Sequence, residues 1–190
     1  MKQVTLQEVE EMLLAAAGEI NAAYIHWSGG HYDQPSDHYH FNINETGKIF
    51  ASTDDLTERK NHTYKRNTGA IGIAINCCAF ANTNDLGDRN RVEEYGIDHL
   101  NSEQIPYEPP TPEQGETAAQ LIALIARVFG WEIAAPPFMT HAEIATIDDY
   151  GPGSGDPETR WDLWFLPWST EKGSGGDWLR QRAKEIYTFR

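Results

Sequence analysis

Ala70-Ile71-Gly72-Ile73-Ala74-Ile75 has no polar position. A strand with one wet face alternates apolar and polar residues, so this run belongs in the middle of a sheet covered on both sides. Covering a sheet takes helices, and helical spacing occurs both upstream and downstream. Thr5-x-x-Glu8 is a capping box, in which the hydroxyl accepts from a first-turn amide and the Glu reaches back to the cap. Leu6, Val9, Met12, Leu13 and Ala16 follow at helical intervals, which predicts an amphipathic helix over 5–17 closed at Gly18. Thr111-Pro-Glu-Gln114 is a second box, with Pro at the first helical position where its missing N–H is harmless. Behind it Ala118, Leu121, Ile122, Ile125, Val128 and Phe129 make the buried stripe of a helix ended by Gly130. A last helix is expected over about 177–188, capped by Asp177, with Trp178, Leu179, Ala183, Ile186 and Tyr187 inward.

Further strands fall between these helices. Ala22-Ala-Tyr-Ile-His26 is an apolar run broken by Ser28-Gly-Gly. His38–Ile43 alternates, with Tyr39, Phe41 and Ile43 on one side and His38, His40 and Asn42 on the other; Lys48–Ala51 returns after a turn at Asn44–Gly47, making a hairpin. A short strand is expected around Ile133, halted by Pro136-Pro137. Residues 79–110 are dominated by Asn, Asp, Gly and Glu and read as a surface insertion with a short helix near Arg91–Tyr95, since loops of that length are rare inside a compact domain. No repeat or linker interrupts the order. The expectation is one α/β domain over 1–190, a central mixed β-sheet flanked by helices.

Composition narrows the partners. A formal charge of −14 opposes non-specific binding to nucleic acid or anionic lipid, and no basic run contradicts it. No stretch approaches the ~20 apolar residues that span a bilayer. Met1–Glu8 lacks the charged-then-apolar profile of a signal peptide, so synthesis in the cytoplasm is expected. The two cysteines, Cys77 and Cys78, are adjacent, which suits buried free thiols better than a disulfide.

Chemistry concentrates in Thr140-His-Ala-Glu-Ile-Ala and Gly151-Pro-Gly-Ser-Gly-Asp-Pro-Glu-Thr-Arg-Trp-Asp162, read as a loop that holds polar groups in place. His141 and Asp162 from this stretch, with His26 from far upstream, are the candidate ligands of one metal ion. Two imidazoles and a carboxylate suit zinc and leave a fourth position open. Ligands so widely separated have no local signature. On composition alone His26 reads more readily as a hydrogen-bonding strand-end residue than as a ligand, and Asp162 is readable as a turn cap and Arg160 as a solvated charge.

Five segments together resemble the zinc-dependent N-acetylmuramoyl-L-alanine amidases, the group that includes phage lysozyme-type amidases and the peptidoglycan recognition proteins. They are Ala23-Tyr-Ile-His26; Tyr39-His-Phe-Asn-Ile43 with Gly47-Lys-Ile; His62, Asn67 and Ile71-Gly-Ile; Thr111-Pro-x-Gln114; and His141-Ala-Glu with Asp156-Pro and Arg160-Trp-Asp162. The resemblance covers about residues 20–168, with the segments in the family's order. It implies that family's fold, Zn²⁺ on His26, His141 and Asp162, and cleavage of the amide between N-acetylmuramic acid and L-alanine in peptidoglycan or muropeptides. Asp156 is the rival third ligand; Asp162 keeps the two-residue offset from the basic residue.

Tyr39 and Arg160 then stabilise the oxyanion, Arg160 standing where the family often has Lys. Arg keeps its proton, so it is a poor relay, and proton transfer is left between the metal-bound water with Tyr39 and Glu143. His62 and Asn67 either line the sugar–peptide groove or are solvated; His40 is structural or catalytic. The competing class is a non-catalytic muropeptide recognition module. Without a signal-peptide profile in Met1–Glu8, three settings are expected as alternatives: a phage endolysin, a delivered toxin, or a cytoplasmic recycler of wall fragments.

Overall fold

The computed structural model describes residues 1–78, 108–150, 162–163, 166–169 and 174–189. Ala70–Ile75 is β5, the fourth strand across a six-stranded sheet ordered β1-β4-β3-β5-β2-β6. The other strands are β1 (Lys2–Val4), β2 (Ala22–Trp27), β3 (Phe41–Ile43), β4 (Ile49–Ala51) and β6 (Phe138–Thr140). β5 pairs in parallel with β2 and β3, and β6 runs parallel to β2. β4 returns antiparallel to β3, and β1 adds antiparallel to β4, so the sheet is mixed. All six residues of β2 and of β5 are buried, as the absence of a polar face requires.

The pleat divides the side chains between two layers. Ala23, Ile25 and Trp27 of β2, with Ile71, Ile73 and Ile75 of β5, pack under α1 (Leu6–Ala15), α2 (Pro112–Phe129) and α4 (Ser174–Thr188). Each such Ile is worth about 1.5–3 kcal/mol when fully buried. The opposite face puts Ala22, Tyr24 and Ala70 against Met139, Tyr150 and α3 (His141–Ile147). Register sets Tyr24 beside Gly72 and His26 beside Ala74. His26 alternates with Ile25 and Trp27, so it emerges on the α3 face, near the carboxyl ends of the parallel strands.

Both anticipated capping boxes form, and Gly130 closes α2 in the left-handed conformation at φ 68°. Gln114, the last residue of the second box, is fully buried; its Nε2 donates to the carbonyls of Ile43 (3.0 Å) and Asn76 (2.7 Å). It ties the start of α2 to the ends of β3 and β5. Cys77 and Cys78 are free and buried.

Several expectations are corrected. β1 lies before the first capping box, in three residues too few to show a period. The strand expected from His38 begins only at Phe41; Tyr39 N donates to Ser36 O inside a turn, so strand alternation does not apply to 38–40. No strand forms around Ile133; the short strand follows the two prolines, as β6. Residues 141–147 form a helix where a loop was expected, because Thr140-x-x-Glu143 is a third capping box. α4 starts at Ser174, before Asp177, with Tyr187 44% exposed and Arg180 buried. Of the expected insertion, 79–107 lie outside the described residues; Glu108 and Pro109 accept from Cys78 N and the Tyr32 hydroxyl.

Candidate metal centre

His26 stands one residue from the end of β2, and His141 is the first residue of α3, directly after β6 on the far side of β2. The parallel β2–β6 pairing therefore brings two residues 115 positions apart to one place, their ring centroids 5.0 Å apart. Asp162 closes the set. Its Oδ2 lies 3.0 Å from His26 Nδ1 and accepts from Trp27 N at 3.1 Å, and its Oδ1 lies 2.8 Å from His141 Nδ1. Its own carbonyl accepts from Ala142 N at 2.7 Å, which fixes the residue to the start of α3. One ligand atom from each of His26, His141 and Asp162 lies within 4.8 Å of the others, so the three could hold one metal ion.

Burial and charge favour the protonation states a metal needs. Asp162 is 5% exposed. Burial works against its charge, but the imidazoles of His141 and His26 more than offset that, and its carboxyl sits well below the usual carboxylate range. Burial pushes His26 below the usual histidine range despite the attraction of Asp162. The result is a neutral imidazole beside an anionic carboxylate. Two imidazole nitrogens and one carboxylate oxygen, with both Nδ1 atoms against the carboxylate, are a donor set zinc accepts.

A second layer orients the first. His26 Nε2 lies 3.3 Å from His62 Nδ1 and 3.2 Å from the Thr63 hydroxyl, so both ring nitrogens of His26 are engaged and its plane is set. His62 is itself buried, pushed down to about 2 by desolvation and by repulsion from His26 and His40, and so neutral. Its ring lies against Gly72 of β5, where even a Cβ would come within 2.7 Å. Asn67 accepts from His62 N (3.0 Å) and Thr63 N (2.7 Å), holding the turn that presents them. His62 and Asn67 thus sit behind His26, 8% and 9% exposed.

Tyr39 is half-buried beside the centre, its ring 5.1 Å from that of His26 and its hydroxyl donating to Trp27 O at 3.4 Å. His40 is wholly buried and structural in its contacts, bridging Glu58 O (2.8 Å) and Gly72 N (3.0 Å). Glu143 is not brought to the centre. Its carboxylate completes the capping box on Thr140 N (2.8 Å) and takes both Nη atoms of Arg180 (2.9 and 2.6 Å). Arg160 and Asp156 lie outside the described residues. Thr63, Gly72 and Arg180 carry no sequence signal of their own beyond proximity to His62, to Ile71 and Ile73, and to the α4 stripe.

A family model described as N-acetylmuramoyl-L-alanine amidase matches residues 14–157 of the 190. The matched span contains His26, Tyr39, His62, Asn67 and His141 and ends before Asp162, which joins the set through the structure. No curated protein matches the chain.

Proposed function

The chain belongs to the N-acetylmuramoyl-L-alanine amidase family, and from that premise we propose that it is a zinc-dependent hydrolase of the amide joining the lactyl group of N-acetylmuramic acid to L-alanine. The observation that carries this reading is the convergence of His26, His141 and Asp162 within 4.8 Å in a buried corner of that family's fold.

Zinc bound there would supply a water whose pKa is lowered from 15.7 to about 7 and would polarise the scissile carbonyl. The chain's own residues do the rest. Asp162 provides the one anionic ligand, leaving the ion net positive. Thr63 and His62 hold the His26 ring so that Nδ1 faces the carboxylate. The Tyr39 hydroxyl turns from the Trp27 carbonyl to donate to the oxyanion as the amide carbon becomes tetrahedral. Arg160, two residues before the third ligand, adds a fixed positive charge to the same oxygen. Proton transfer falls to the activated water with Tyr39, since Glu143 is already committed to Thr140 and Arg180.

The test is zinc content and stem-peptide release from purified cell wall, for wild type and Asp162→Ala. About one zinc per chain, lost in the variant together with cleavage, is the expected result. Zinc retained by the variant moves the third ligand to Asp156 or elsewhere. A wild type that binds cell wall without cutting it is the recognition module instead. Running intact wall beside soluble muropeptides separates a lytic enzyme from a recycling one.

A further inference from the structure

His141 stands on an element that does not support itself. α3 has 7 residues, well below the ~12–15 at which an isolated helix becomes even marginally stable. Its position is set by what grips it. At its far end Arg66 forms a bidentate pair with Asp148, at 2.6 and 2.5 Å. At its near end, next to His141, the grip comes from α4 on the other side of the sheet. Arg180 Nη1 donates to Phe138 O (3.0 Å) and to Glu143 Oε2 (2.9 Å), and Nη2 donates to Glu143 Oε1 (2.6 Å) and Asp177 Oδ1 (2.7 Å). One guanidinium, 8% exposed, thus holds the strand residue three before His141 and the helix residue two after it.

The first turn of α4 is shaped to the same contact. A Cβ at Gly176 would fall 2.6–2.8 Å from the Glu143 carboxylate atoms, so glycine is what lets the turn close on them. Glu143 in turn accepts from Thr140 N at 2.8 Å, so the pair is fastened to the residue just before His141.

We propose that Arg180 is a positioning residue for the metal centre, setting through Glu143 and the Phe138 carbonyl where His141 stands relative to His26 and Asp162. The proposal rests on the zinc reading above. α4 lies beyond the residues the family model matches, so the brace comes from this chain's own C-terminal helix.

A purely structural role makes a different prediction, and the same helix supplies the control. Arg182 pairs bidentately with Glu116 (2.7 and 3.0 Å), tying α4 to α2 rather than to α3. Two variants loosen the Arg180 brace without emptying the space: Glu143→Gln, which keeps a residue fit for the capping box but removes its charge, and Arg180→Lys, which keeps the charge but loses the fork. Zinc affinity is measured on metal-stripped protein by competition with a chromophoric chelator, beside urea unfolding of the metal-free forms. Each brace variant is expected to weaken zinc binding about tenfold, while Arg182→Met stays within about twofold of wild type whatever stability it loses.

Brace variants that bind zinc like wild type overturn the proposal. So does Arg182→Met weakening zinc as much as they do. The comparison is read on zinc and not on hydrolysis, so a wild type that binds zinc yet leaves cell wall intact fails the amidase reading alone. A wild type that takes up no zinc overturns both.

Discussion

Gly72→Ala isolates the packing that supports His26. Gly72 lies in the middle of β5, and its backbone is outside the left-handed region, so alanine meets no backbone strain. By chain entropy alone the substitution would add about 0.5–1 kcal/mol of stability. The contacts reverse that sign. The new Cβ would lie 2.7, 2.8 and 3.1 Å from Cδ2, Cγ and Nε2 of His62. Carbon contacts settle at about 3.5–4.0 Å, so the ring must retreat by roughly 0.7 Å or more. It is poorly able to do so, because Asn67 holds its backbone while Thr63 and His26 engage Nδ1. Overpacking of this kind costs about 1–3 kcal/mol. At about 2–4 °C per kcal/mol for a chain of this size, the midpoint of the metal-free protein should fall by roughly 4–8 °C for a 2 kcal/mol loss. Zinc affinity should fall about 10–100-fold, as it does when the support of a ligand is disturbed. The decisive assay is a urea-unfolding cycle over Gly72→Ala, His62→Ala and the double variant. With the ring removed, the new methyl has room, so the double variant should be more stable than the sum of the singles by about 1–2 kcal/mol. Additivity within about 0.5 kcal/mol, or a Gly72→Ala protein as stable as wild type, would refute the close ring-on-backbone contact.

Two further outcomes follow from buried polar groups. In Gln114→Glu a carboxylate replaces an amide whose Nε2 donates to Ile43 O and Asn76 O, so it faces two buried carbonyls; the loss at neutral pH should be about 3 kcal/mol or more. The new carboxyl's folded pKa is raised above its ordinary value of about 4.3, so the deficit against wild type should be smallest below that pH and grow as the pH rises; a deficit constant from pH 4 to 8 would contradict this. In metal-free wild type, burial holds His26, His40 and His62 below the usual histidine range. Their contribution is full above about pH 6.5 and lost as the pH falls below it, and that of the depressed Asp162 is lost below about pH 4. The midpoint of chelator-treated protein should therefore drop from about pH 6.5 downward; a flat midpoint to pH 5 would mean these imidazoles are not buried neutral.

What the sequence discloses depends on how local the governing physics is. β5, α1 and α2 are legible because a run without polar residues, or a capping box followed by an apolar stripe, carries its own cause within a dozen positions. His26 and His141 have no such cause: their meeting depends on β2 pairing with β6, and in the sequence only the resemblance to a family links them. Thr63 acts through a contact with a ring 37 positions away, and nothing in Asn61-His-Thr-Tyr marks it. Arg180 reads as one more charge in Leu-Arg-Gln-Arg-Ala-Lys-Glu, yet it is next to inward-facing Leu179 and one helical turn beyond Gly176, which leaves room for Glu143.

Glu143 shows how a local rule bears on a catalytic assignment. Judged by composition it belongs with His141, Asp156, Arg160 and Asp162 as one more acid near the site, a candidate for moving protons. The spacing Thr140-x-x-Glu143, the same pattern that starts α1 and α2, directs its carboxylate back to the Thr140 amide instead. Once that bond forms, the side chain lies along the start of α3, and the charge meets Arg180 rather than the candidate ligands His26, His141 and Asp162. This carboxylate accepts three hydrogen bonds, two of them from a guanidinium, so its oxygens are already engaged. The start of the helix that carries His141 and the turning of the Glu143 carboxylate back to the Thr140 amide therefore have one cause, the three-residue spacing between a threonine and a glutamate.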